Sequence, residues 1–183
     1  MKKHITRLVF IALFAAIISA GAFITLPVGP VPVVLQNMFT LLSGLVIGPV
    51  LGPAAVGLFI VAGAVGVPVF ANNGSPPGLA RIVGPTGGYL FGYLLGAFIA
   101  GVILGFPGSG QRTPVWRLIL AVIAGTLVVY VPGLLWLKMY LKTDWIKTLA
   151  VGFFPFILGD SLKGAVAGLI TPRLRRAAGE LLA

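Results

Sequence analysis

Charged side chains are missing from three long stretches of the chain. No Lys, Arg, Asp or Glu occurs between residues 8 and 80, and 82–111 and 118–137 are two further charge-free runs. A helix needs roughly 20 predominantly apolar residues to cross a bilayer, so the first run alone has room for three crossings with turns. Stretches such as Leu8 to Ile18 are apolar on every face. A membrane β-strand instead alternates apolar and polar residues over about 10 positions, so the pattern predicts helices. Proline and glycine clusters mark the turns, because in lipid the backbone stays helical wherever protein does not bury it. Six spans follow, over 7–27, 33–48, 51–68, 87–106, 115–140 and 146–171. The first ends at Pro27-Val28-Gly29-Pro30-Val31-Pro32, Gly48-Pro49 divides the second from the third, and the third stops at Pro68. Residues 69–86 hold Asn72, Asn73, Gly74, Ser75, Pro76, Pro77 and Gly78 and read as an ordered loop.

The first residues also resemble a secretory signal with an A-x-A-like site at Ala20-Gly21-Ala22. Apolar sequence continues past that site and more spans follow, so a retained first helix is the simpler reading. The expected fold is an all-α membrane protein, one six-helix bundle over 1–183 with no convincing internal repeat.

Composition agrees: 58% of residues are hydrophobic and 9% charged, which is too little charge for a water-soluble surface. The net charge of +10 then carries topological rather than nucleic-acid meaning. Basic residues in a membrane protein gather at the cytoplasmic ends of helices, whereas nucleic-acid binding needs them on one solvated face. Lys2, Lys3, Arg7, Arg112, Arg117, Arg173, Arg175 and Arg176 fall on one side of the six-span arrangement; Arg81, Lys138, Lys142 and Lys147 fall on the other. Both termini are therefore expected in the cytoplasm, with the 69–86 loop outside.

Against this background the intramembrane polar residues are few. Of three acids, Asp144, Asp160 and Glu180, only Asp160 lies within a predicted span, and Lys163 follows three residues later. Each costs at least about 2.5–3.5 kcal/mol to place mid-membrane, so such residues are functional candidates by default. Two readings stand: the pair neutralises itself on one helix face, or the carboxylate accepts N–H donors while the ammonium meets a ligand anion. Gln36 and Asn37 are polar positions in an apolar second span, suited to interhelical bonding or, for Gln36, to a ligand. Gly84-Pro85-Thr86-Gly87-Gly88-Tyr89 leads into the fourth span. It either initiates and packs that helix or presents helix N–H groups to a polar ligand. Tyr89 and Tyr93, four apart, can stack on an apolar ring, although Tyr89 also suits an interfacial anchor. Asn72, Asn73 and Arg81 occupy the place of a lid, where ordinary loop solvation is the alternative.

Two small-residue ladders permit close helix contact in lipid: Ala12, Ala16 and Ala20 on the first helix, and Gly88, Gly92, Gly96 and Ala100 on the fourth. The second suits packing inside the bundle; the first suits either packing or a partner protein. Catalysis has little support. The sole histidine, His4, is in the N-terminal tail, there is no cysteine and no Walker A sequence, so no His-based triad or His/Cys metal cluster is expected and ATP hydrolysis would come from another subunit.

With these residues in view, the chain resembles the BioY family, the biotin-specific substrate-binding (S) component of energy-coupling-factor (ECF) importers. The likeness rests on Gly29-Pro-Val-Pro-Val-Val-Leu-Gln-Asn-Met-Phe39, Gly66-Val-Pro-Val-Phe70, Gly84-Pro-Thr-Gly-Gly-Tyr-Leu90 and Gly159-Asp-Ser-Leu-Lys163, spread in order over most of the chain. The resemblance implies a six-helix bundle in a prokaryotic cytoplasmic membrane that captures biotin beneath the loop between the third and fourth helices. Its implied partners are a transmembrane coupling subunit and two cytoplasmic ABC ATPases, with no cofactor and no metal. Ala12, Ala16 and Ala20 match the ladder by which S components contact the coupling subunit. The implied substrate residues are Asp160 accepting a ureido N–H, Tyr89 and Tyr93 lining the ring pocket, and Lys163 or Arg81 meeting the carboxylate, with Thr86, Gln36 and Asn72 nearby. One departure is the outer loop, where relatives are often glycine-rich and this chain reads Asn72-Asn-Gly-Ser-Pro-Pro-Gly-Leu-Ala-Arg81. An S component for another vitamin and, in a different class, an intramembrane enzyme using Asp160 with Lys163 are the alternatives.

Overall fold

The computed structural model describes residues 2–26, 31, 33–71, 78–108 and 113–182. Its elements run α1 (Lys2–Gly21), β1 (Thr25–Leu26), β2 (Val33–Val34), α2 (Gln36–Ala64), α3 (Leu79–Val83), α4 (Gly87–Leu104), α5 (Val115–Leu141), α6 (Trp145–Gly152) and α7 (Phe154–Leu182). Five helices, α1, α2, α4, α5 and α7, are long and apolar enough to cross a membrane. The protein is a multi-pass membrane protein.

The fourth and fifth predicted spans match α4 and α5 to within two residues. The first and sixth are corrected, and the second and third differ in their outer bounds. The first helix stops at Gly21 rather than 27, and the chain then pairs Thr25 with Val34 and Leu26 with Val33 in a short antiparallel hairpin. The second and third spans are the two arms of α2, divided where expected at Gly48, whose φ of 87° and ψ of −174° leave the helical region, with no longer loop between them. That φ is open to glycine at little cost. Pro49 follows at a helix start, where its missing N–H has no helical partner to lose. A Cβ built on Gly52 would stand 2.7 Å from the Gly44 Cα, although residues eight apart in a straight helix are about 12 Å apart. The chain therefore reverses at Gly48, and the two arms of α2 lie side by side.

The predicted outer loop contains α3. The sixth span is divided: α6 ends at Gly152, Phe153 leaves the helical region, and α7 begins at Phe154. Pro155 in the first turn of α7 explains the restart, since a proline there breaks no helical hydrogen bond. Asp144 caps α6, its Oδ1 accepting from the Lys147 N–H at 2.8 Å, and that backbone bond holds its carboxyl below the usual carboxylate range. α7 runs to Leu182, so Arg173, Arg175 and Arg176 are helical residues rather than a tail beyond the span.

Arg175 is buried and has no acidic partner among the described residues. It donates instead to four carbonyls: Nη1 to Leu45 O at 2.8 Å, and Nη2 to Leu104, Gly105 and Phe106 O at 2.8–3.0 Å. Those oxygens terminate α4 and the first arm of α2, where the last carbonyls lack helical partners and the helix dipole is negative.

The glycine ladder packs inside the bundle. Added Cβ atoms on Gly88, Gly92 and Gly96 would meet the carbonyl oxygens of Pro132, Val129 and Gly125 at 2.3, 2.5 and 2.6 Å, so α4 and α5 touch backbone to backbone. Ala12, Ala16 and Ala20 are exposed along α1, whose opposite face buries Phe14, Ala15 and Ile18.

Candidate binding site

The mid-membrane pair is directly joined. Lys163 Nζ lies 2.9 Å from Asp160 Oδ1, and both side chains are about nine-tenths buried. A third residue completes the arrangement on the acid: the Tyr130 hydroxyl, carried by α5, donates to Asp160 Oδ2 at 2.5 Å. Lys163 also donates to Val34 O at 2.7 Å and to Asn37 Oδ1 at 3.1 Å, so its three N–H bonds are all taken by protein acceptors. The acid is less saturated. An ionised carboxylate offers about four lone-pair sites, and two protein donors leave room for others.

These groups wall a cavity of about 60 Å³. The start of α2 contributes Gln36 and Asn37, α3 contributes Arg81, and the start of α4 contributes Thr86, Tyr89, Leu90 and Tyr93. Val129 and Tyr130 come from α5, Phe156, Asp160 and Lys163 from α7, and the connecting segments supply Val31, Val34, Phe70 and Ala71. Seven of the eight substrate-site residues expected from sequence thus meet at one place: Asp160, Lys163, Tyr89, Tyr93, Thr86, Gln36 and Arg81. The eighth, Asn72, lies outside the described residues.

Their roles differ. Gln36 Nε2 donates to Ile18 O at 3.3 Å and to Val69 O at 3.0 Å. Two acceptors on the nitrogen fix the amide orientation and turn Oε1, which has no protein partner among the described residues, into an acceptor for the cavity. Tyr89 is anchored, its hydroxyl donating to Gly152 O at 2.7 Å and its ring packing over Gly133 and edge-on to Tyr130. Thr86 makes no side-chain bond to the α4 N-terminus and leaves its hydroxyl at the cavity wall. Arg81 is buried, donates from Nη1 to Ala71 O at 2.8 Å, and has its pKa lowered by desolvation. A guanidinium stays protonated under such a shift, so α3 brings a fixed positive charge to the cavity rim.

Sequence reading missed Tyr130, Phe70 and Phe156. Tyr130 sits in a charge-free run, and only the side-by-side placement of α5 and α7 aims its hydroxyl at Asp160. Asn37 was noticed beside Gln36 without a site role, yet it takes the Lys163 ammonium while its Oδ1 also accepts from the Met38 N–H. As a whole the site is an apolar, aromatic pocket with one under-used carboxylate, one amide oxygen and a cation at the rim, the plan of a small polar ligand's receptor. Among the described residues no group of three His, Cys, Asp or Glu side chains assembles for a metal.

Comparison with known proteins decides the relationship. The BioY family model matches residues 1–180. The chain belongs to the BioY family. It is 41% identical over 170 residues to the biotin transporter BioY of Thermotoga maritima, spanning 93% of this chain and 96% of that protein. It is 40% identical over 165 residues to a probable biotin transporter BioY of Pyrococcus horikoshii, spanning 90% and 93%. Its fold matches a crystal structure, at 2.1 Å, of the S-component for biotin from an ECF-type ABC transporter, with a TM-score of 0.81, 28% identity, and coverage of 94% of this chain and 92% of that one.

Proposed function

We propose that this chain captures biotin and serves its uptake as the S component of an ECF-type transporter. The observation that carries the reading is the Asp160–Lys163–Tyr130 cluster in the wall of an aromatic cavity, within a BioY fold. Biotin's ureido ring offers two N–H donors and a carbonyl, its fused sulfur ring is apolar, and its valerate tail is anionic. Asp160 and Gln36 Oε1 supply acceptors for the N–H groups, Tyr93 and Phe156 supply apolar surface, and Arg81 at the rim supplies a cation for the tail. Lys163, with three protein acceptors, meets a ligand oxygen only by giving one of them up.

The reversal at Gly48 supports six crossings, the two arms of α2 counting separately. With six, the excess of Lys and Arg supports a reading in which both termini face the cytoplasm across a prokaryotic cytoplasmic membrane. ATP hydrolysis then belongs to partners, a transmembrane coupling subunit and two ABC ATPases. Titration of the purified protein with biotin, riboflavin and thiamine tests the ligand: submicromolar affinity is expected for biotin alone, and its absence refutes the reading.

Ala12, Ala16 and Ala20 stand exposed on α1 and are assigned to the coupling subunit, because a small-residue face lets another membrane helix approach closely. Ala16→Leu is expected to abolish co-purification with that subunit while leaving biotin affinity within twofold. Transport at the wild-type rate would remove the ladder from the interface.

A further inference from the structure

A smaller cavity lies one helical turn farther into the bundle, beyond the Asp160–Lys163 pair. Its volume is about 20 Å³, and it shares Asn37, Val129, Asp160 and Lys163 with the binding cavity. Thr126 on α5 and Gly164 on α7 line it as well, each one turn from Tyr130 and Asp160 respectively. Gly96 and Gly125 close another side with main chain: a Cβ on Gly96 would stand 2.6 Å from Gly125 O.

Three polar groups with unused bonding capacity converge on this space. A hydroxyl inside a membrane helix ordinarily bonds back to the carbonyl one turn earlier. Ser19, Ser161 and Thr171 do so, to Ala15, Ile157 and Ala167 O at 2.6–2.7 Å. Thr126 does not: its hydroxyl has no protein partner among the described residues, and Oγ1 faces α7, 3.6 Å from where a Cβ on Gly164 would stand. Asn37 Oδ1 accepts from Lys163 and from the Met38 N–H, which fixes the amide orientation. Both Nδ2 hydrogens are then left without an acceptor among the described residues. Asp160 has spent one lone pair on each oxygen, on Lys163 and on Tyr130.

Size and charge select the occupant. An ammonium and a carboxylate 2.9 Å apart line the same wall, so an ion of either sign meets its own kind there as closely as its opposite. An apolar group would leave the amide, the hydroxyl and the carboxylate unpaired. A water needs about 10–15 Å³ and two to four polar partners. It can accept from Asn37 Nδ2, bond the Thr126 hydroxyl and donate to Asp160.

We infer that this cavity holds one structural water, which bridges Asp160 to the Asn37 amide and the Thr126 hydroxyl. Thr126 is then a positioning residue: it lies outside the binding cavity and acts, through the water, on the carboxylate that meets the ligand. A bridging water is nearly as good a partner as a direct hydrogen bond. Lys163 and Tyr130 each hold one oxygen of Asp160, and the water adds a third fixed contact from the deep side, leaving the remaining acceptor capacity to the ligand.

A high-resolution crystal structure of the ligand-free protein tests the site. The expected result is a single water peak about 2.7–3.2 Å from an Asp160 oxygen, Thr126 Oγ1 and Asn37 Nδ2; no peak there overturns the proposal. The positioning role rests on the biotin reading and is read by titration. Thr126→Val keeps the shape, removes the hydroxyl and should lower biotin affinity by about 3- to 10-fold, the range of one neutral hydrogen bond. Thr126→Ser restores the hydroxyl and should bind within about twofold of wild type. In an Asp160→Asn background, Thr126→Val should cost less than about twofold more, because residues in one network do not add. Wild-type affinity in Thr126→Val, no rescue by Thr126→Ser, or additive losses in the double variant would each overturn the positioning role. A protein that shows the water peak but binds no biotin would support the water site and refute the transport reading alone.

Discussion

Asp160→Asn is expected to lower biotin affinity by about 10- to 150-fold in isothermal titration, with expression and membrane insertion intact. The range is the 1.5–3 kcal/mol typical of a hydrogen bond to a charged group. The variant keeps most of the shape and loses the charge, leaving the Lys163 ammonium buried beside Val34 O and Asn37 Oδ1 without its counter-ion. A control separates loss of ligand contact from collapse of the pocket. Removing both charges, as Asp160→Asn with Lys163→Met, should recover thermal stability, because a buried pair replaced as a unit costs far less than one broken. Affinity should stay low. Wild-type affinity in the single variant would return the pair to a purely structural role.

Arg175→Leu should have the largest effect on stability, about 3–5 kcal/mol, and almost none on biotin affinity. Four carbonyl oxygens at two helix ends lose their donor at once, each exposed to a desolvation cost of about 1–3 kcal/mol if no water replaces it. Part of that is recovered by relaxation of the helix ends. At about 2–4 °C per kcal/mol for a chain of this size, the melting temperature should fall by roughly 10 °C. Arg175→Lys should recover only part of it, since an ammonium has three donors and no planar fork. A melting curve within 2 °C of wild type would show that the carbonyls find water unaided.

The contrast between these residues explains what sequence could and could not convey. Asp160 and Lys163 were legible because mid-membrane charge is costly and therefore rare. Arg175 was hidden by the same logic. Three arginines in four residues near the C-terminus read as a flanking cluster, and only the continuation of α7 past Pro172 buries one of them. The membrane class and the extents of α4 and α5 followed from charge-free runs bounded by Pro and Gly. The division of the second and third spans at Gly48-Pro49 followed as well, although the turn is a one-residue reversal rather than a loop. Tyr130 was illegible for a further reason: nothing local distinguishes a tyrosine that faces a carboxylate on another helix from one that faces lipid.

The backbone contact between α4 and α5 has a consequence for how a ligand reaches Asp160. Helices locked at Gly88, Gly92 and Gly96 slide or tilt only as one plate, since any relative shift drives carbonyl oxygens into the opposing main chain. Tyr89, Tyr93 and Tyr130 ride on that plate and keep their spacing. The opposite rim, with Phe70, Ala71 and Arg81, is carried by segments outside that plate. The pocket therefore has one rigid wall, and that stiffness resides in three residues that have no side chain.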